Sequence, residues 1–401
     1  MATSPGSPED IIRPIVNTSK KYYIAFGITA AVALLWSAVY GWQLDEGLIV
    51  TNLADWGSGG GSPWGLYILV HMGRPDRLVL SVVPAYPWTV RTSPLAWDVT
   101  VITLYFVMTA TYLGLTIRYD VYHLRDRLPN YLSPFYSLVT LGYGETEERI
   151  IDRMVWWLAL GIIVLAPLLL HGGVIPWLFS VLPSMPGWDG GVQGPQFLTI
   201  ALTSAISGVI ILSYACRWAY DWDHIFSEDM FRGLTNWLGL FGLLFVWLQL
   251  QQVINGVFAE PIAGETAMVA RITQPWYIVA IGTVVVILAY IFAQAVKPSV
   301  FSLNRSLAAS FLMLFATLTE KILFVFEGLL YPHFSLYNAV PGHYSPSLVE
   351  LSSLAGTVSL CTIFFLVILK LFPVVELHAV EDHGDGHEDH GGGSQDEEVT
   401  A

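Results

Sequence analysis

The chain has 401 residues, of which 54% are hydrophobic and only 12% charged, whereas a soluble domain carries about 25% charged residues. Several runs of about 20 or more nearly pure apolar residues match a ~30 Å hydrocarbon core, and a soluble protein exposing them would aggregate. The net charge of −14 is concentrated in the tail, because nine acidic residues lie after Pro373; it identifies no partner of the apolar body, and nothing points to nucleic acid.

In chain order the pattern predicts an all-α integral membrane protein, a helix bundle of about eight transmembrane helices. Residues 1–21 read as a cytoplasmic N-terminal segment, 22–374 as the transmembrane domain and 375–401 as a disordered, acidic, His-rich tail. The first apolar run lacks the short core and cleavage site of a signal peptide and should remain as an anchor. The spans fall near 22–44, 96–117, 154–177, 195–216, 233–256, 273–296, 306–331 and 348–372. Trp42, Trp177, Trp218, Trp237, Trp276 and Tyr277 sit near their ends, as interfacial aromatic belts require.

Basic residues orient the spans. With the N-terminus inside, the cytoplasmic face carries Arg13, Lys20, Lys21, Arg118, Arg125, Arg127, Arg149, Arg153, Arg217, Arg232, Lys297 and Arg305, whereas the outer face holds Arg74, Arg77, Arg91 and Arg271. Both termini are then cytoplasmic and the protein lies in the cytoplasmic membrane. The stretch 45–95 reads as an outer-face loop with one interfacial or re-entrant piece, since the apolar run Trp64 to Met72 is too short to span. Its GSGGG at 57–61 precedes no GK[ST], so it is a linker rather than a phosphate loop.

Ionisable residues at membrane depth are costly and mark functional candidates. The span 306–331 carries Glu320, Lys321 and Glu327, with Glu320 and Glu327 on one helix face. Two readings stand for Glu320: a structural ion pair with Lys321 or a neighbouring helix, and a proton or quinone role. His171 follows an apolar run, Asp98 opens the second span and Glu350 opens the last, all three toward the outer face. A quinone site needs an apolar slot with hydrogen bonds at the headgroup and a proton acceptor, and these three supply the polar part; for His171 a satisfied buried histidine is the equal alternative.

Cys216 and Cys361 are the only cysteines. Neither haem-attachment nor Fe–S spacing occurs, and one histidine inside a span does not make a haem b site. Any electron handling must therefore use a diffusible carrier and a partner that holds the metals. His378, His383, His387 and His390 in the tail read as part of a solvated acidic segment, with loose metal binding as the alternative.

Several landmarks occur in a fixed order: PWGLY at 63–67, HMGRPDR at 71–77, SPLAWDV at 93–99, HGGVIPWLFS at 171–180, PGWD at 186–189, GPQF at 194–197, TEKILFVFEG at 319–328, HYSPSLVE at 343–350 and KLFPVVEL at 370–377. Together they resemble the NrfD-like family of polysulfide reductase membrane subunits, and most closely its branch of quinol-oxidising subunits of alternative complex III. The resemblance runs nearly to residue 377. It implies a membrane anchor that exchanges electrons between quinol (menaquinol or ubiquinol) and a ferredoxin-like Fe–S subunit, which in turn often serves a molybdopterin oxidoreductase. By motif, Asp98 and His171 fall at polar positions of the first bundle. Glu320 and Lys321 match an acidic–basic pair, and Tyr344, Pro346 and Glu350 match the motif opening the last span. The chain departs from the pattern after residue 67, where only Ile68 to Val70 separate two landmarks. About two helices of the usual quinone bundle are absent there on this comparison, with a histidine expected among them.

Three functions follow as expectations: a quinone-interacting subunit of a respiratory oxidoreductase with Glu320 and Lys321 on a proton path, a membrane anchor without quinone activity, and a secondary transporter. Gly208, Gly239, Gly242 and Gly356 interrupt spans as a transporter's glycines do, but no inverted repeat accompanies them, and glycines are common at membrane helix contacts.

Overall fold

A computed structural model of the chain describes residues 8–46, 83–89, 94–165, 175–180, 185–188, 190–258, 262–331, 347–375 and 377. Every regular element among them is helical: α1 (Pro8–Val16), α2 (Lys20–Glu46), α3 (Val83–Thr89), α4 (Pro94–Leu124), α5 (Ser133–Val139), α6 (Glu145–Leu165), α7 (Ile175–Ser180), α8 (Gln193–Tyr220), α9 (Glu228–Phe258), α10 (Ile262–Thr273), α11 (Pro275–Val296), α12 (Leu303–Leu330) and α13 (Leu348–Leu371).

Seven of these helices, α2, α4, α8, α9, α11, α12 and α13, are long and apolar enough to cross a membrane. They coincide with seven of the eight expected spans. The remaining one, 154–177, is helical through Leu165 as the second half of α6 and then runs into residues 166–174, outside the described residues. So does nearly all of the expected loop 45–95, of which α3 is the part seen. The stretch after residue 67, where the family resemblance leads to the expectation of two further helices, lies there as well.

The spanning helices enclose small and polar side chains beside their apolar core and leave many large apolar ones on the outside. Trp247, Val286, Phe292 and Phe364 are more than half exposed, whereas Thr203, Ser207, Ser306 and Ser310 are fully enclosed. In water that arrangement would be unstable. In lipid it is expected, because tails solvate leucine as well as a protein core does and helix association relies on close packing and polar contacts.

Helices α8, α9, α11 and α12 form the central bundle around Phe231, Leu238, Phe245, Val284, Ile287 and Met313. Close approach is achieved with glycine: a Cβ on Gly239 would lie 2.5 Å from the Ile291 side chain. A second unit pairs α2 with α13, and a Cβ on Gly356 would fall 2.2 Å from the Trp36 ring. Helices α4 and α6 make a third pair, joined at one end by Arg118 and Glu147 at 2.6 Å.

The expected N-terminal segment is a built part of the fold. Helix α1 starts at proline, carries Glu9 and Asp10 in its first turn and buries Ile11, Ile12 and Ile15, a local pattern suited to an amphipathic helix end. These residues pack with Val121, Leu124 and Tyr136. Arg13 donates to the Tyr220 carbonyl at 2.9 Å, and Lys370 reaches back to Thr18 Oγ1 at 2.7 Å. The ends of α4, α8 and α13 are thereby gathered on one face, and the Tyr136 hydroxyl donates to the Leu371 carbonyl at 3.0 Å.

Candidate functional site

Helix α12 carries Glu320 and Lys321, ten residues before its end at Leu330, or about 15 Å along the axis. A bare carboxylate at that depth would be expensive. The chain answers from α10, which follows α9 back into the protein and lies against α9, α11 and α12. Its face Ala267, Met268 and Arg271 is buried, the spacing of one helical stripe. Gly256 on α9 makes room, since a Cβ there would come within 2.8 Å of Met268.

Arg271 donates to Glu320 Oε1, with 2% and 0% of the two side chains exposed. The Lys321 ammonium lies 3.4 Å from Glu320 Oε2 and donates to Gln196 Oε1 at 3.3 Å. Gln196 in turn donates to Gln252 Oε1 at 2.8 Å, tying α8 to α9. On the far side of Arg271, the Tyr277 hydroxyl donates to Gln249 Oε1 at 3.2 Å and the guanidinium stands 5.7 Å from the Tyr277 ring centre. Five helices therefore meet at one buried polar cluster.

Aromatic rings wall this cluster. Lys321 lies 4.1 Å from the Phe197 ring centre and 4.6 Å from that of Phe324, within the range of cation–π attraction. Phe179, from α7, stacks on Phe197 with centroids 6.0 Å apart and meets Phe324 edge-on at 5.6 Å. Trp188 closes the box: its indole donates to the Phe324 carbonyl at 3.0 Å and occupies the space above Gly328, where a Cβ would lie 2.0 Å from Trp Nε1.

One acid faces two cations here, so the ionised cluster carries an excess positive charge. Arginine stays protonated in proteins whereas lysine exchanges its proton when buried, so Glu320 and Lys321 are the members able to gain or lose one. Gln249 Nε2 and Gln193 Oε1 are buried with no hydrogen-bond partner among the described residues, while Glu320 Oε2 has the Lys321 ammonium at 3.4 Å. Such atoms call for a water or a ligand oxygen. The Gln249 N–H needs an acceptor and the Gln193 oxygen a donor, and a quinol headgroup, a flat ring with two hydroxyls, offers both.

The other expected site residues fare differently. Glu350, the third residue of α13, closes a capping box: it accepts from the Ser347 N–H at 2.6 Å while Ser347 Oγ accepts from the Glu350 N–H at 3.3 Å, which gives it a structural task at the start of the helix. Asp98 lies in the first turns of α4, but its side chain is outside the described residues, as are those of His171, Glu327, Tyr344 and Pro346 and the histidines of the tail. Among the described residues no group of three or more His, Cys, Asp or Glu is placed to hold a metal ion.

Arg271 was missed. Counted as an outer-face loop residue, it is instead enclosed beside Glu320. Gln196, Gln249, Gln252 and Tyr277 were also missed as site residues. Their signal was present: amides recurring inside the apolar runs of α8 and α9. The landmark motifs converge as well, because HGGVIPWLFS supplies Phe179, PGWD supplies Trp188, GPQF supplies Gln196 and Phe197, and TEKILFVFEG supplies Glu320, Lys321, Phe324 and Gly328.

A multi-span helical membrane protein with a buried ion cluster between its bundle helices is the class that this fold and site define. Residues 19–333 match the family described as Polysulphide reductase, NrfD, and the chain belongs to that family. It is 24% identical over 370 residues to a selenate reductase subunit of Mesobacillus selenatarsenatis, covering 88% of this chain and 84% of that one. It is 25% identical over 342 residues to a putative dimethyl sulfoxide reductase membrane subunit of Halobacterium salinarum, covering 77% and 71%.

Proposed function

We propose that this chain is the quinone-interacting membrane subunit of a respiratory oxidoreductase complex, passing electrons between quinol and a bound ferredoxin-like Fe–S subunit, with a molybdopterin oxidoreductase subunit beyond it. The observation that carries the reading is the buried Arg271–Glu320–Lys321 cluster, two of whose members lie in the landmark TEKILFVFEG and whose surroundings hold aromatic faces and unfilled amide atoms. The names of both relatives, each a reductase subunit and one of them a membrane subunit, support the setting.

In this reading quinol, when bound, supplies two electrons and two protons. Fixed donors and acceptors lower the cost of separating those charges in a medium that hydrates neither. Asp98, His171, Tyr344 and Glu350 form the outer-face polar set, with His171 or Asp98 as proton acceptor. Arg271 holds the Glu320 carboxyl group in place, and Glu320 together with Lys321, which contacts both Glu320 and Gln196, relays a proton toward the cytoplasmic side. Both termini lie in the cytoplasm, and the acidic tail from residue 375 extends from a transmembrane body.

The test is low-temperature EPR on the complex purified from its native host in mild detergent, before and after anaerobic addition of quinol. A co-purifying Fe–S signal reduced by quinol is the expected result. A cluster that dithionite reduces and quinol does not would leave an anchor without quinone chemistry, the second reading, which draws on the short separation of the landmarks at 63–67 and 71–77. Absence of any cluster, with uptake of a solute into proteoliposomes, would establish a transporter instead.

A further inference from the structure

Helix α6 sorts its charges by side. Glu147 pairs with Arg118 at 2.6 Å and Glu148 approaches His123 at 3.9 Å, so both acids turn toward α4. Together with Asp152 they surround Tyr143, whose hydroxyl is shifted upward in pKa by burial first and by these carboxylates second. Arg149 and Arg153 point the other way. Both are exposed, and neither has an ionic partner among the described residues. They line a shallow cavity of about 570 Å³ together with Ile150, Met154, Trp157 and Leu158.

The spacing gives that face a depth profile. Arg149, Arg153 and Trp157 are successive i, i+4 neighbours, so the guanidinium stems start about 6 Å apart along one stripe. The charged half of α6 precedes its apolar half, so Arg153 and Trp157 stand at the change from one to the other. Ile150, Met154 and Trp157 are 55%, 44% and 60% exposed, an apolar flank running down beside the cations. Two unpaired guanidiniums above an apolar groove complement one chemistry: a phosphate with acyl chains attached.

We propose that this face of α6 binds the headgroup of an anionic phospholipid. Arg149 and Arg153 bracket the phosphate, Trp157 sits at the glycerol level, and Met154 and Leu158 lie along an acyl chain. An arginine near an anionic surface attracts it electrostatically, and the fork geometry of guanidinium favours phosphate over a point contact. The site stands apart from the Arg271–Glu320–Lys321 cluster and does not depend on its role.

The experiment is native mass spectrometry of the detergent-purified complex, delipidated and titrated with phosphatidylglycerol or with zwitterionic phosphatidylcholine as control. Wild type should retain phosphatidylglycerol selectively. Arg149→Gln/Arg153→Gln should weaken that retention by about tenfold or more without changing phosphatidylcholine adducts or the unfolding temperature, while Arg149→Lys/Arg153→Lys should keep most of it. Equal retention of both lipids by wild type, or undiminished phosphatidylglycerol on the Gln variant, overturns the proposal. Loss of a protein subunit from the Gln variant with lipid binding intact would assign the patch to an acidic protein partner, and overturn it too.

Discussion

The Arg271 guanidinium meets the Glu320 carboxylate from a helix 49 residues away, and neither side chain is reached by solvent. The pair is the anchor of the whole polar cluster. It fixes the carboxylate that Lys321 also contacts, and through Lys321 it reaches the Gln196–Gln252 link between α8 and α9.

Removing one partner should therefore cost more than removing both. Glu320→Met leaves two buried cations with no carboxylate between them and should destabilise the protein by about 3–5 kcal/mol. Arg271→Met/Glu320→Met should recover a large part of that loss. Thermal unfolding in detergent across the four-member cycle checks this, and additive effects would show that the two groups do not act as a pair.

Glu320→Gln separates the proton role from the electron role. The amide keeps the shape and the hydrogen bond from Arg271 but holds no exchangeable acid. Proton translocation in proteoliposomes should fall by about tenfold or more, while quinol-driven reduction of the partner cluster stays near wild type. Equal loss of both activities would remove the separate proton role.

The contact between Trp188 and Gly328 predicts a steric effect. Gly328→Ala places a methyl group 2.0 Å from Trp188 Nε1, so the indole must leave and its bond to the Phe324 carbonyl breaks. The expected cost is about 1–3 kcal/mol of overpacking. Gly328→Ala/Trp188→Leu should restore part of it, because a flexible side chain can vacate the space that the rigid indole fills. Unfolding temperatures of the two variants decide the matter.

Tyr136 predicts a response to alkaline pH. Burial pushes its phenol up to about 12 from the ordinary 10. The folded state thus holds the proton more tightly than the unfolded state. The contribution is complete below about pH 10 and is lost as pH rises toward 12. Tyr136→Phe should cost about 1 kcal/mol at neutral pH, through loss of the bond to Leu371, and should flatten the stability profile between pH 10 and 12. An unchanged alkaline profile in that variant would show that the tyrosine is not the group responsible.

The membrane class, seven of the spans and the presence of Glu320 and Lys321 at depth were legible in the residues alone, because a run of twenty apolar side chains states its own solvent. The landmarks from HGGVIPWLFS to TEKILFVFEG carried the family in their order. What the sequence could not state was which residue answers which. Arg271 reads as an ordinary loop cation until α10 folds back beside α12. Gln196 and Gln252 read as scattered amides until two helices are placed side by side. Gly328 gives no hint of Trp188, nor Gly356 of Trp36. Hydropathy is a property of each segment and is felt locally, whereas a buried ion pair forms between segments far apart in the chain. Only the tertiary structure decides that Glu320 is held by arginine on one oxygen and by lysine on the other.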